Sequence, residues 1–373
     1  MVQARYSFGY FGVIVPCILN LIGMSGFCIL NCILGGQTLS SVAEQHLSWS
    51  VGIVITALIA LLLSFCGYRL LTWYERIAWI PVLIVFVVAM GISGKHLGSP
   101  PPPEPATAPA ILSFGATIAG FIITYAGLAS DFTSYFRPDV PSIKVFVYSY
   151  LGFILPIITL QCLGAASVIA AVDIPTWQAG YESGNVGGLL LAMMSPAGGF
   201  AKFLTVLLAL SAIGNIAITF YSFCLNIQIF IPALVVVPRY VFSILATAIV
   251  IPLAIVGSHR FYETLANFLG LLGYWACAFI AIVVEEHLVF RHNDPAEYNL
   301  EHWNSPGRLP WGMAALGAGF AAFGVAVVCM DQVWFVGPLA KKTGDIGFEM
   351  AFIVSLVLYF PLRALEIRLR PGA

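Results

Sequence analysis

The sequence predicts an all-α, polytopic membrane protein, and three observations carry that prediction. The 373 residues are 60% hydrophobic and only 9% charged, with a mean hydropathy of +0.96, which is more apolar surface than a soluble domain of this length can bury. Apolar runs of about 17–25 residues, the length that crosses a bilayer as a helix, recur along the whole chain. Lysine and arginine fall unequally on the two sides of these runs.

Ten spans follow in order, near 11–35, 48–68, 74–94, 109–130, 143–172, 202–230, 239–257, 264–288, 311–334 and 347–365. The first is too long, and too polar at its far end, to be a cleaved signal peptide, so it is read as a helix. After the third, "GKHLGSPPPPEPATAP" (94–109) cannot be helical and reads as a polyproline II spacer. After the eighth, residues 291–310 form a polar loop punctuated by prolines. The ninth ends at Trp334 and Phe335, which read as interfacial belt residues, beside Asp331. An even number of crossings puts both termini on one side. Eleven Lys and Arg lie on that side and five on the other, so the positive-inside rule makes the termini cytoplasmic. Glu75, Arg76, Glu285, Glu286 and His287 fall at the cytoplasmic ends of spans and are expected to be solvated or to snorkel there.

Composition also excludes function classes. A net charge of −1 gives no basic field for nucleic acid. The eight cysteines lie within or at the edges of apolar runs and read as small buried hydrophobes; Cys28 and Cys32 are an i, i+4 pair on one helix face. No span gathers the carboxylates and histidines that a membrane hydrolase needs, so an enzyme is not expected and no cofactor is called for.

Polar groups at bilayer depth must bond to other helices or line a cavity. In the first span, "GMSGFCILNCILGGQ" places Phe27 and Asn31 one turn apart. In the fourth, "GFIITYAGLASDFTSYFRPDVP" runs from Thr124 and Tyr125 into small residues that permit unwinding or close approach. In the sixth, "LSAIGNIAITFYSFCLN" (210–226) sets Asn215 and Thr219 at i, i+4. Aromatic rings and amides at mid-depth suit a planar heterocycle with hydrogen-bonding edges. Interhelical glue and simple packing are the competing reading of each residue. Asp131, at the inner end of the fourth span, reads as a gate or a cap. Ser211 offers a hydroxyl to a cation or bonds back to its own helix.

Long ordered motifs add a resemblance. "MDQVWFVGPLAKKTGDIGFEMAF" (330–352), "GYWACAFIAIVVEEHLVFR" (273–291), "RYSFGYFG" (5–12), "GYRLLTWYERIAWIP" (67–81), "ASDFTSYFRPDVP" (129–141) and "VPRYVF" (237–242) closely resemble the fungal purine-cytosine permeases of the nucleobase:cation symporter-1 family. The resemblance implies one transporter domain over 1–373 with a LeuT-type inverted-repeat fold, at the plasma membrane. Its implied substrate is a nucleobase of the cytosine, adenine, guanine and hypoxanthine class, and its implied coupling ion is a proton. The family's arginine-tyrosine-serine motif, Arg5-Tyr6-Ser7 here, follows the second family helix. The ten spans therefore correspond to family helices three to twelve, and helices one and two are expected to be missing. Residue by residue, the resemblance assigns substrate contacts to Phe27, Asn31, Tyr125, Asn215 and Thr219, and cation coupling or gating to Ser211 and Asp131. Tryptophan is common in relatives at the Phe27 and Tyr125 positions, and a second asparagine at that of Thr219. Because the first family helix helps to form the site, the chain as written is expected to be an incomplete gene model or unable to transport alone. The alternative is a non-transporting truncated paralogue that pairs with a full-length permease.

Overall fold

The computed structural model describes residues 1–98, 105–137 and 139–370. Of the proline-rich stretch 94–109, residues 99–104 lie outside them; its ends depart from the non-helical reading, since one helix runs on to Leu97 and the next begins at Ala108. Every long element is a helix: α1 (Arg5–Gly12), α2 (Ile14–Val42), α3 (Trp49–Phe65), α4 (Gly67–Leu97), α5 (Ala108–Ile123), α6 (Ala129–Thr133), α7 (Ser142–Asp173), α8 (Pro175–Met194), α9 (Gly199–Phe230), α10 (Arg239–Gly257), α11 (Phe261–Glu285), α12 (Met313–Cys329), α13 (Ala340–Thr343) and α14 (Gly347–Leu369). Eight are long and apolar enough to cross a membrane, and α3 and α12 are shorter apolar helices, which together account for the ten expected spans.

The bundle is organised around α2. Met24, Cys28 and Ile33 of α2 pack with Ile53 and Ala57 of α3, Ile213 and Phe220 of α9, and Val250 of α10 in one buried cluster. Farther down α2, Val13 and Cys17 enter a second cluster with Leu272, Trp275 and Phe279 of α11, Ala315 and Ala318 of α12, and Tyr359 of α14. Both cysteines of the shared helix face, Cys28 and Cys32, are buried in the first cluster.

Three departures from the hydropathy reading matter. Helix α4 begins at Gly67, seven residues before the apolar run does, and in these first turns Arg69, Leu70 and Trp73 are exposed while Leu71 is buried. The fourth span is not continuous: α5 ends at Ile123, a tight 3-10 turn covers Thr124–Gly127, and α6 resumes at Ala129. Between the fifth and sixth spans lies α8, bent sharply at Asn185 (φ +49°), whose two halves press Gly180 against the Gly188 backbone. Mixed polar and glycine composition hid α8 from a search for apolar runs.

Both termini meet the 291–312 loop at one end of the bundle. The Arg5 guanidinium donates to the Trp303 carbonyl (2.9 Å), the Asn304 side chain (3.0 Å) and the last-turn carbonyl of Ile229 in α9 (3.1 Å). Arg370 donates to the carbonyls of Leu309 and Gly307. Gly312 (φ +80°) abuts the Phe8 carbonyl so closely that any side chain would collide with it.

At the same end the structure corrects the reading of Glu285 and Glu286 as solvated residues. Glu286 is 1% exposed; it accepts hydrogen bonds from Tyr359 (2.8 Å) and from Arg363 Nε and Nη2 (3.0 and 3.1 Å), and Arg291 donates to it at 3.1 Å. Arg363 also pairs with Glu366, whose other oxygen accepts from the Gly312 amide. Glu285 is buried beside this network. At the opposite end, Asp345 accepts from Tyr274, from the Gln332 amide (3.0 Å) and from the backbone of Gly347 (2.9 Å), tying α11 and a two-residue hairpin to the start of α14.

Candidate functional site

Helices α2 and α9 make the most extensive helix pair in the molecule, and their facing polar residues form the candidate site. The two helices carry polar or aromatic groups at the same spacing, Asn20, Phe27 and Asn31 on one, and Asn215, Ser222 and Asn226 on the other. Steps of seven and four residues stay on one helix face.

At mid-helix, Asn31 Nδ2 donates to the Phe27 carbonyl (2.8 Å) and to Asn215 Oδ1 across the interface (3.4 Å). That leaves Asn31 Oδ1 and Asn215 Nδ2 without a protein partner among the described residues, and Asn215 is exposed. One free acceptor and one free donor therefore stand side by side. Thr219 is buried, and its hydroxyl donates to the Asn215 carbonyl at 2.7 Å. Its proton is spent on its own helix, which steadies the turn carrying Asn215. Ser211 likewise donates back to Leu208 at 2.7 Å.

The aromatic candidates are held apart. The Phe27 ring meets the edges of Phe121 and Phe268 at 6.1 and 5.7 Å between centroids. Tyr125 stands in the turn that interrupts α5 and α6, and its ring packs against Phe153 of α7 at 5.0 Å. The two rings do not stack on one another. Phe27 floors the amide pair from α2, while Tyr125 remains 39% exposed.

Toward the terminal end the polar face continues. Asn226 donates to the Cys17 carbonyl at 3.3 Å, and its Oδ1 is buried without a partner, as are Asn20 Nδ2 and the Ser222 hydroxyl. Asn20 Oδ1 lies against Gly127, the end of the broken turn, where a methyl group would approach it to 2.4 Å. The Ser222 hydroxyl faces the Asp131 carboxylate without closing a well-formed hydrogen bond. Asp131 thus sits beside Ser222, two turns of α9 from Asn215, rather than within the pair. Asn20 and Asn226 were absent from the sequence-derived candidates, although their spacing from Phe27, Asn31 and Asn215 was legible.

Glu75, expected to be a solvated helix-end residue, is also at this level. It is half-buried on α4, and a methyl group on Gly214 of α9 would stand 3.0 Å from its Oε1. Glu75 thus faces Gly214, the residue before Asn215 in α9, rather than bulk water.

Comparison with known proteins agrees with this architecture. A family described as permease for cytosine/purines, uracil, thiamine, allantoin matches residues 1–350. The chain is 33% identical to the purine-cytosine permease FcyB of Emericella nidulans, over 99% of this chain and 73% of that one. It is 33% identical to the purine-cytosine permease FCY2 of Saccharomyces cerevisiae, over 99% and 71%, and 28% identical to the vitamin B6 transporter TPN1 of the same yeast, over 99% and 73%. Among solved structures, the inward-facing conformation of Mhp1 superposes with a TM-score of 0.69 at 17% identity, covering 99% of this chain and 78% of that one. The fold is the LeuT-type transporter fold.

Proposed function

This chain belongs to the permease family for cytosine/purines, uracil, thiamine and allantoin, and on that premise we propose that it carries a nucleobase of the cytosine and purine class across the plasma membrane by proton symport, with its termini in the cytoplasm. The observation that carries the reading is the free acceptor of Asn31 beside the free donor of Asn215 at mid-membrane. Cytosine and adenine each present a ring nitrogen beside an exocyclic amine, an acceptor next to a donor, which is the complement of that pair. Phe27 supplies an apolar ring beneath it, and Tyr125, on a broken helix, can swing as that break flexes. The relatives named as purine-cytosine permeases support the substrate class.

The mechanism is alternating access. The base binds from the outer side against the amide pair, the site closes to that side, and the polar face of Ser222, Asn226 and Asp131 receives the base on its way to the cytoplasm. The test is competition of labelled cytosine uptake by adenine, hypoxanthine, uracil and pyridoxine in cells lacking their own permeases, with and without a protonophore. Competition by cytosine and purines, and collapse by the protonophore, is the expected result. Uptake of pyridoxine alone, or uptake that follows sodium instead, overturns the substrate or the coupling assignment respectively.

A further inference from the structure

We propose that Glu75 is the group on which this transporter takes up and gives off a proton; only the identity of the substrate coupled to it rests on the nucleobase reading above. The argument begins with a glycine. A methyl group on Gly214 would stand 2.4 Å from the Tyr74 ring and 3.0 Å from Glu75 Oε1, so glycine at this position is what allows the carboxyl to lie against the α9 backbone one residue before Asn215. The Tyr74 hydroxyl donates to the Leu210 carbonyl at 3.1 Å and pins this stretch of α4 to α9. Gly214 is the sixteenth of the 32 residues of α9 and Glu75 the ninth of the 31 residues of α4, so the contact lies at the middle of α9 and inside the start of α4.

Glu75 makes no hydrogen bond or ion pair among the described residues. This contrasts with Glu286, which is buried with two arginines and a tyrosine around it. Two titratable groups bear on it electrostatically: Tyr74 from its own helix and Tyr125 from the broken end of α5. The other helices packed against α4, namely α3, α7, α8 and α9, bring no charged side chain to it. Arg76, next in sequence, is exposed and lines a different groove with Arg69 and Trp73.

A carboxyl with no counter-ion at this depth is tolerated neutral when sealed from water and ionised when water reaches it. Since it lies against Gly214, next in sequence to Asn215, and bears electrostatically on Tyr125, opening the site to one side or the other changes its hydration together with that of the substrate. A proton from the outer solution binds the carboxylate, crosses with the loaded site, and leaves to the cytoplasmic solution. No covalent bond other than that O–H is made or broken.

The test uses the purified chain in lipid. Infrared spectra recorded against pH are expected to show a protonated-carboxyl band that fades as pH rises and is missing from Glu75→Gln, while Glu75→Asp retains a shifted band. Identical titrations of the wild type and Glu75→Gln overturn the proposal without reference to any substrate. In vesicles, the expected result is that Glu75→Gln loses at least tenfold of proton-driven cytosine accumulation yet keeps cytosine exchange within about threefold, independent of pH. Loss of exchange and accumulation together, with normal insertion, would make Glu75 a packing or binding residue and overturn its role. A wild type that shows the band but exchanges no nucleobase refutes the nucleobase reading and leaves the titration assigned.

Discussion

The side chains of the candidate site owe their geometry to bonds made within their own helices. Asn31 is anchored by the Phe27 carbonyl and Asn215 sits on a turn steadied by Thr219, so the free donor and acceptor are pre-oriented before any ligand arrives. Asn215→Ala removes the donor and orphans the Asn31 contact; uptake is expected to fall at least tenfold at unchanged surface expression, since one buried hydrogen bond to a ligand is worth about 1–1.5 kcal/mol and a paired amide more. Cys224, whose thiol meets the Arg239 carbonyl and the Ser243 hydroxyl of α10, is the control: Cys224→Ala is expected to retain uptake within about twofold, and a tenfold loss would mean that α9 is read from the wrong face. Asn31 and Asn215 were visible in the sequence because an amide inside an apolar run has few reasons to be there. Glu75 was not, since hydropathy marks where a run becomes apolar and not where its helix begins.

Helices here are joined by close contacts that admit little change. Gly214→Leu forces a branched side chain into the Tyr74 ring and the Glu75 carboxyl; overpacking of this kind costs about 1–3 kcal/mol. A lower melting temperature together with lost uptake is expected, whereas an unchanged protein would separate α4 from the site. In the terminal-end network, Arg363→Met leaves Glu286 with Arg291 and the Tyr359 hydroxyl and is expected to destabilise by about 3–5 kcal/mol, the cost of breaking a buried ion pair from one side. Detergent thermal-unfolding midpoints of this variant and of the double variant Arg363→Met/Glu286→Gln check it, the double variant recovering part of the loss. The lengths of α7 and α10 were legible to within a residue at each end, because their runs end in proline, glycine or charge, whereas α9 begins three residues earlier and α14 ends four residues later than their apolar runs. The break at Thr124–Gly127 was foreseen only as a stretch able to unwind, and the bend of α8 at Asn185 was not foreseen, since each is fixed by what packs on it: Asn20 against Gly127, and α2 against α8.

At the scale of the molecule, α2 joins two packing centres, and each end of the bundle carries its own polar lock. Tyr274, Gln332 and Asp345 fasten one end; Arg363, Glu286 and Glu366 fasten the other. Both locks bind α11 or its continuation to the elements that follow it, and the Asp345 amide also donates to Ser113 of α5. With the terminal end cytoplasmic, an N-glycan acceptor placed near Thr107 is expected to be modified and one placed in residues 291–310 is not; the reverse pattern inverts the orientation. The central claim is that the Asn31–Asn215 pair reads a nucleobase edge, and saturable uptake of labelled cytosine and adenine tests it most directly. The measurement is made in cells lacking their own permeases, for this chain and for this chain joined to the parts of FcyB outside their aligned region, each with and without Asn215→Ala. Nucleobase uptake abolished by the substitution is the expected result, and uptake that Asn215→Ala leaves intact, or none from either surface-expressed protein, would contradict it.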